Sequence, residues 1–245
     1  MDICVAQTVS DINGNVYKTV KIGDQMWMVE NLRVNKYNNG DNIPGNLSNE
    51  DWSNTKEGAY AIYPHEGGYW DEGPIEGINS DEEMVASYGK LYNWFAIDDP
   101  RGLCPQGWSI PDSADWSQLV NYLMNEYDYD NLWLISTIDG VGNALKSCHQ
   151  VKSPLDGCNT SQHPRWNSDS IHSGFNQVGF SALPGGIRRS EGRFDGIGYV
   201  ISMWSASEDD IAWFQRIYYN SGHIAQNNSW FKSEGYSVRC FRNIE

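Results

Sequence analysis

The architecture of this chain follows from a stretch near its start that reads Val16-Tyr17-Lys18-Thr19-Val20-Lys21-Ile22-Gly23-Asp24-Gln25-Met26-Trp27-Met28-Val29. Its first half alternates apolar or β-branched residues with polar ones, as a strand with one buried face does. Gly23-Asp24 then supplies a turn, and a second apolar run follows directly. The stretch therefore predicts a β-hairpin.

The rest of the chain is typical of short strands joined by turns. Further strands are predicted at 59–63, 180–183, 194–204, 212–219, 223–227 and 236–241. Segment 65–87 is rich in glycine and acidic residues and poor in apolar ones, so we expect a long exposed loop there. Loops of this length are usually functional or mobile.

The clearest predicted helix begins after Pro111. Asp112 or Ser113 can cap it, because a side-chain oxygen at that position accepts hydrogen bonds from the free N–H groups of the first turn. The apolar residues that follow are spaced i, i+3, i+4 and i+7, which is one face of a helix. They are Trp116, Leu119, Val120 and Leu123. A second, shorter helix is predicted over 141–147.

These elements predict an α+β fold with mixed, mostly antiparallel sheets, two helices and long loops. A chain of 245 residues can form one domain, and no change of composition marks a linker. We therefore expect a single domain over 11–245 after an N-terminal extension, 1–10.

Charge and hydropathy narrow the possible functions. The chain carries 32 acidic and 17 basic residues, a net charge of −15, which repels nucleic acids and anionic lipids. No apolar run reaches 18 residues, so no membrane span is expected. The first residues lack the basic start and apolar stretch of a secretory signal. If the protein is exported, this sequence is expected to be its mature form with a start Met added.

Several distinctive motifs are spread along the chain, each occurring once. Two of them are Tyr88-Gly89-Lys90-Leu91-Tyr92-Asn93-Trp94 and Gly179-Phe180-Ser181-Ala182-Leu183-Pro184-Gly185-Gly186. The others lie at 11–23, 27–32, 101–105, 107–111 and 237–240. In this order the motifs resemble those of the Fibrobacter succinogenes major paralogous domain (FISUMP) family. The resemblance implies a fold related to C-type lectins and to the formylglycine-generating sulfatase-modifying proteins. It also implies a secreted or cell-surface bacterial protein, attached to the outer membrane as a lipoprotein.

Four of the five cysteines can be paired. Cys104 and Cys240 lie in two of the family-like motifs, and Cys148 and Cys158 flank a polar loop, so we expect two disulfides. The alternative at the second pair is a zinc site, although no Cys-x-x-Cys pair is present. Cys4 is left as a free thiol, or as the lipid-bearing cysteine of a precursor.

Motifs of catalysis are absent from the sequence: no Gly-x-Ser-x-Gly, no phosphate-binding glycine loop and no His-Glu-x-x-His occurs. The five histidines lie apart in polar loops and are expected to be solvated. We therefore expect a binding module rather than an enzyme, and no cofactor apart from a possible calcium ion. The weak calcium candidates, whose alternative is a solvated acidic face, are Asp98, Asp99, Glu208, Asp209 and Asp210.

Aromatic and amide side chains collect in the predicted hairpin 218–230, where rings can stack on sugars and amides can bind hydroxyls. The candidate ligand residues there are Tyr218, Asn220, Asn227, Asn228 and Trp230, joined by Trp70 and Trp166 from polar loops. The alternative is that these residues cover the core or form turns. The expected partner is a glycan or a surface protein of a host or neighbouring cell. A structural subunit of a surface appendage and, less favoured, a formylglycine-generating-like oxidase or a glycan-active enzyme are the alternatives.

Overall fold

A computed structural model describes residues 7–71, 73–129, 140–206 and 212–244, and within these ranges the chain has an α+β architecture. One sheet has four strands in the order β1-β2-β3-β11, a second has five in the order β10-β9-β8-β6-β7, and a third pairs β4 with β5. The strands are β1 Thr8–Ser10, β2 Val16–Ile22, β3 Gln25–Met28, β4 Tyr60–Ala61, β5 Leu91–Tyr92, β6 Gly185–Arg188, β7 Phe194–Ile197, β8 Val200–Ser205, β9 Ala212–Tyr218, β10 Ala225–Ser229 and β11 Phe241–Asn243. The helices are α1 Asn49–Asn54, α2 Asp81–Tyr88, α3 Trp94–Ile97, α4 Ser113–Tyr127 and α5 Val141–Leu145.

The four-stranded sheet contains the predicted hairpin. Strands β2 and β3 pair in antiparallel register with Ile22 opposite Gln25, which confirms the turn at Gly23-Asp24. Strand β11 pairs with the other edge of β3, so the end of the chain lies beside its beginning. Strand β1 pairs with β2, and the sheet therefore begins upstream of Asp11, within the predicted extension.

Helix α4 forms as predicted. The Asp112 carboxylate accepts hydrogen bonds from the N–H groups of Ala114 and Asp115, and the Asp115 carboxylate accepts one from Asp112 N–H. This reciprocal arrangement is a capping box. Trp116 on the apolar stripe is buried, and its ring lies 4.8 Å from that of Trp27. The helix therefore packs its apolar face against the four-stranded sheet.

Segment 65–87 was predicted as an exposed loop, and this is wrong for its last third. Helix α2 begins at Asp81 and is capped by Ser80, whose hydroxyl accepts a hydrogen bond from Glu83 N–H. The acidic residues of its first turn interact favourably with the positive, N-terminal end of the helix dipole. Met84 and Tyr88, four residues apart in this helix, are its buried residues. Helices α1 and α3 were also missed, since each has six residues or fewer.

The predicted strands at 180–183 and 236–241 are largely wrong, because these segments form isolated bridges at Ala182, Tyr236 and Ser237 before β11 starts. The predicted strand 194–204 is divided into β7 and β8 by a turn at 198–199. Gly198 has φ +80°, a conformation that favours glycine. This turn exposes Tyr199.

The two predicted disulfides are confirmed. Cys104 bonds to Cys240, which joins the middle of the chain to the segment before β11, and Cys148 bonds to Cys158. The second bond uses the two thiols that the zinc alternative required as ligands, so that alternative is wrong. Both bonds stabilise the fold by constraining the unfolded chain.

Candidate binding cleft

Two adjacent cavities share the exposed side chains of Trp70 and Tyr199. The first, of about 270 Å³, is also lined by Arg189, Arg216 and Tyr218. The second, of about 490 Å³, is lined on its far side by residues that include His163, Arg165 and Asn167. We call the two cavities together the aromatic cleft. Trp70 is 74% exposed, Tyr199 47% and Tyr218 41%, so three aromatic rings are open to solvent at one place.

The loop that carries Trp70 is attached to β7 by a hydrogen bond. Tyr69 N–H donates a hydrogen bond of 2.9 Å to Phe194 O. The Asp71 carboxylate accepts hydrogen bonds from the Tyr63 hydroxyl, at 2.7 Å, and from Gly68 N–H. A Cβ at Gly68 would lie 2.6 Å from Phe194 O, so only glycine allows this approach. Trp70 is therefore presented by an ordered loop.

The other two rings are positioned by strands β8 and β9. Tyr199 precedes β8, and its ring packs edge-on against Tyr219 at 5.1 Å. Tyr218 is the last residue of β9 and pairs with Val200 of β8. Because alternate residues of a strand share a face, Arg216 lies on the same side of the sheet as Tyr218. Strand pairing thus places a guanidinium beside the rings.

The charged groups of the first cavity have different partners. Arg189 forms an ion pair with Asp195, with Nη2 2.7 Å from Oδ2. Arg216 instead donates hydrogen bonds to three hydroxyl groups, those of Ser202, Tyr218 and Tyr236. Its guanidinium also lies 4.6 Å from the centre of the Phe214 ring. Arg216 is therefore held firmly in place by neutral groups.

The second cavity contains a histidine that sequence reasoning had assigned to a solvated loop. His163 is half-buried, and its Nδ1 lies 2.5 Å from the Tyr88 hydroxyl. Burial, with the nearby charge of Arg165, lowers the pKa of His163 to about 4. The imidazole is therefore neutral at physiological pH. His172 is also buried, so the prediction of five solvated histidines is wrong for these two.

The predicted site residues of the late hairpin do not form one face. Strand register places Tyr218 at one end of β9 and Trp230 just past the residue paired with Ala212, at the other end. At about 3.3 Å per residue the two lie roughly 20 Å apart. Asn227 and Asn228 are neighbours in β10 and so point to opposite faces. Asn220 lies in the exposed turn after β9.

Trp166 was predicted to contact a ligand at the surface, and this is wrong. Its side chain is 0% exposed, and its indole Nε1–H donates a hydrogen bond of 3.0 Å to Ala182 O. The polar residues around it belong to a loop that folds over the core containing α5. The sequence shows only those polar neighbours, and therefore hides the burial. Trp204, by contrast with Trp70 and Trp230, is also buried in the core.

Trp230 lies in a second exposed apolar region. Trp230 is 80% and Phe231 61% exposed, and they line a cavity of about 580 Å³ together with Phe95, Lys56 and Lys232. We call these five residues the Trp230 patch. Its backbone is anchored, since Trp94 N–H donates a hydrogen bond of 2.9 Å to Lys232 O. The patch is thus a rigid aromatic surface separate from the aromatic cleft.

The calcium candidates are only partly described. Asp99 binds Arg101 through both carboxylate oxygens, at 2.9 and 2.7 Å, and this pairing lowers the pKa of Asp99. Asp98 is exposed. Glu208, Asp209 and Asp210 lie outside the described residues, as does Cys4. In the part of the chain that is described, the group of three side chains close enough to share an ion is His65, Glu66 and Asp81, which lies at the surface.

Lys146 is a buried cation that the sequence did not reveal. Its Nζ donates hydrogen bonds of 2.8 to 3.0 Å to the carbonyl oxygens of His172, Tyr219 and Ser221. Burial lowers its pKa to about 7. The amine is closed to solvent, and it joins the loop that contains His172 to the turn after β9, which contains Tyr219 and Ser221. Its role is therefore structural.

The geometry defines a disulfide-bonded α+β domain with an open cleft of aromatic and arginine side chains. The chain belongs to the Fibrobacter succinogenes major domain family, whose model matches residues 20–242. This match confirms the family resemblance drawn from the motifs. No curated protein and no solved structure matched the chain. Across the described residues, none of the helices combines the length and the apolar character needed to cross a bilayer.

Proposed function

We propose that this chain is an exported cell-surface module that binds glycans in the aromatic cleft and does not catalyse a reaction. The observation that carries the proposal is the meeting of Trp70, Tyr199 and Tyr218, three exposed rings from separate segments, around one cavity. Aromatic rings offer a rigid apolar face with little conformational entropy to lose. The C–H face of a sugar ring can stack on such a surface while its hydroxyls bind the surrounding polar groups.

The arrangement of the cavities favours an oligosaccharide over a single sugar. Trp70 and Tyr199 line both cavities, so a ligand that stacks on them can extend to either side. The polar groups on the two sides differ, with Arg189 and Arg216 on one and Arg165 and Asn167 on the other. Such a cleft can bind a short oligosaccharide by stacking its middle sugar on the shared rings, while the polar groups on each side contact the neighbouring sugars.

The cellular location is part of the proposal. Two disulfides support folding in an oxidising compartment, outside the cytoplasm. The family resemblance adds a C-type-lectin-like fold and attachment to the outer membrane as a lipoprotein. In folds of that type the late strands and their neighbouring loops form the ligand face, and Tyr199 and Tyr218 lie at β8 and β9. Adhesion to a glycan-bearing surface is the role that follows.

The cysteine pairing supports binding over oxidation. An oxidase like the formylglycine-generating proteins needs a reactive cysteine pair. Cys104 and Cys240 form one disulfide and Cys148 and Cys158 the other. Within the described residues the cysteines are thus engaged in bonds that hold distant parts of the fold together.

The Trp230 patch favours a second candidate function, docking onto another protein as a recognition module or as a subunit of a surface appendage. Trp230 and Phe231 are adjacent and highly exposed. Aromatic residues of this kind, held by an ordered backbone, are typical of interface hot spots. The two candidates therefore place the ligand at different tryptophans.

A glycan array with matched variants separates the two candidates. Trp70→Ala and Trp230→Ala each remove one indole that is at least 74% exposed, so both variants should fold normally. We expect the wild type and Trp230→Ala to bind the same glycans and Trp70→Ala to lose them. Loss only in Trp230→Ala would move the site to the Trp230 patch. A blank array with the folded wild type would reject glycan binding.

A further inference from the structure

We infer that the aromatic cleft selects acidic glycans, with the Arg216 guanidinium binding the carboxylate of a uronic acid. This inference rests on the proposed function, because it names the class of sugar that the same cleft takes. The partners of Arg216 differ from those of Arg189, the other arginine in the first cavity.

Neutral hydroxyl groups hold the Arg216 guanidinium in a fixed position. Nε donates a hydrogen bond of 2.8 Å to Ser202 Oγ, and the two Nη atoms each lie 3.3 Å from a tyrosine hydroxyl, those of Tyr218 and Tyr236. Hydroxyl groups orient the guanidinium but do not neutralise it. Among the residues that the structure describes, Arg216 forms no ion pair, whereas Arg189 is paired with Asp195.

The guanidinium also has donors to spare. It carries five N–H groups, and the three hydrogen bonds to described residues occupy three of them. Two N–H groups therefore remain for a ligand. Arginine and carboxylate match in shape and charge, and such charge-assisted hydrogen bonds are stronger than neutral ones.

The carboxylates that line the same cavity do not compete for Arg216. Asp195 is held by Arg189. Asp71 accepts hydrogen bonds from the Tyr63 hydroxyl and Gly68 N–H, which fix it within its own loop. An anionic sugar can therefore meet Arg216 as its partner while its ring stacks on Tyr199, Tyr218 or Trp70.

The charge of the whole chain makes this site selective. A net charge of −15 repels polyanions from the surface in general. An acidic glycan is thus held only where a fixed cation and a stacking surface coincide. A bare sulfate or phosphate group, without a sugar ring at the matching distance, lacks the second contact.

The test compares polyuronates with the same polymers after chemical reduction of their carboxyl groups. Wild-type protein is assayed against polygalacturonate, alginate and hyaluronate, each beside its reduced form, with dextran and dextran sulfate as controls for neutral and non-uronate anionic polymers. We expect at least one polyuronate to bind about ten- to a hundredfold more tightly than its reduced form, the gain of a charge-assisted hydrogen bond. Dextran sulfate should not bind with comparable affinity.

Variants then assign the effect to Arg216. Arg216→Gln should lower polyuronate affinity to that of the reduced polymer, and Arg242→Gln, which removes the same charge from β11 in the other sheet, should leave it unchanged. Equal binding of the acidic and reduced forms by the wild type overturns the inference, whatever the variants do, and leaves glycan binding standing. Tighter binding of dextran sulfate also overturns it. If no carbohydrate of any kind binds, the proposed function fails as well.

Discussion

Trp70 and Tyr218 line the same cavity although one lies in the loop after β4 and the other ends β9. Their meeting depends on the contact between the Trp70 loop and β7, where Tyr69 N–H binds Phe194 O. The aromatic cleft is therefore formed by tertiary contacts, and its affinity for a glycan should fall whenever this loop detaches from β7.

Removal of one hydroxyl tests the attachment of that loop. Tyr63→Phe keeps the ring in the core but deletes the hydroxyl that donates to Asp71. We expect glycan affinity to fall several-fold, because the loss of this hydrogen bond costs about 1 kcal/mol. We also expect hydrogen exchange at the Tyr69 amide to become faster. Tyr127→Phe, at the exposed end of α4, is the matched control. Unchanged exchange at Tyr69 would show that the Asp71 contact does not hold the loop.

The core position of Trp116 predicts a large effect on stability. Trp116→Ala should lower the free energy of unfolding by about 3–5 kcal/mol, since it leaves a cavity beside Trp27 and Phe180. Trp230→Ala removes the same side chain from an exposed position and should change it by no more than about 0.5 kcal/mol. Denaturant unfolding of the two variants measures the difference. Similar values for both would contradict the packing of α4.

The disulfides predict a definite thiol count. With five cysteines in the chain and two bonds, the denatured but unreduced protein should react with one equivalent of a thiol reagent. Peptide mapping without reduction should join Cys104 to Cys240 and Cys148 to Cys158. The loss of the longer link should cost more stability, about 5 kcal/mol against about 2.5 in the chain-entropy model. A free thiol at Cys104 in oxidised protein would refute the pairing.

The lowered pKa of the half-buried His163 predicts a dependence of stability on pH. The folded-state pKa of His163 is lowered to about 4, whereas its ordinary value is 6.5, so the unfolded chain takes up this proton first as the pH falls. The contribution of His163 to the free energy of unfolding is therefore complete above pH 6.5. It is lost as the pH falls from 6.5 to about 4. Across that window the wild type should lose up to about 3 kcal/mol more than His163→Gln. Parallel curves for the two proteins would show that folding leaves the pKa of His163 unchanged.

Sequence reasoning was most successful where a single segment determines its own structure. The β2–β3 hairpin has its own turn, and α4 has both a cap and an apolar stripe, so each could be predicted from its residues alone. Helix α2 was missed because its two buried residues, Met84 and Tyr88, follow an acidic run at the end of a glycine-rich segment with few apolar residues.

The aromatic cleft could be predicted only in part. Trp70 and Tyr218 were candidates because of their local composition, but nothing in the sequence showed that they meet. Tyr199 and Arg216 were missed, since one sits in a turn within an apparent single strand and the other gains its role from hydroxyls on three segments. Two glycines, Gly196 in β7 and Gly198 in the β7–β8 turn, were the available signal.

Sugar binding beside Trp70 can be measured through the indole N–H signals of ¹⁵N-labelled protein. The signals of Trp70 and Trp230 are assigned with Trp70→Phe and Trp230→Phe, and the protein is titrated with a galacturonate trimer and with its carboxyl-reduced form. We expect at least one of the two trimers to shift the Trp70 signal in a saturable manner and to leave the Trp230 signal in place. A static Trp70 signal with both trimers, or a saturable shift of Trp230 instead, would contradict this expectation.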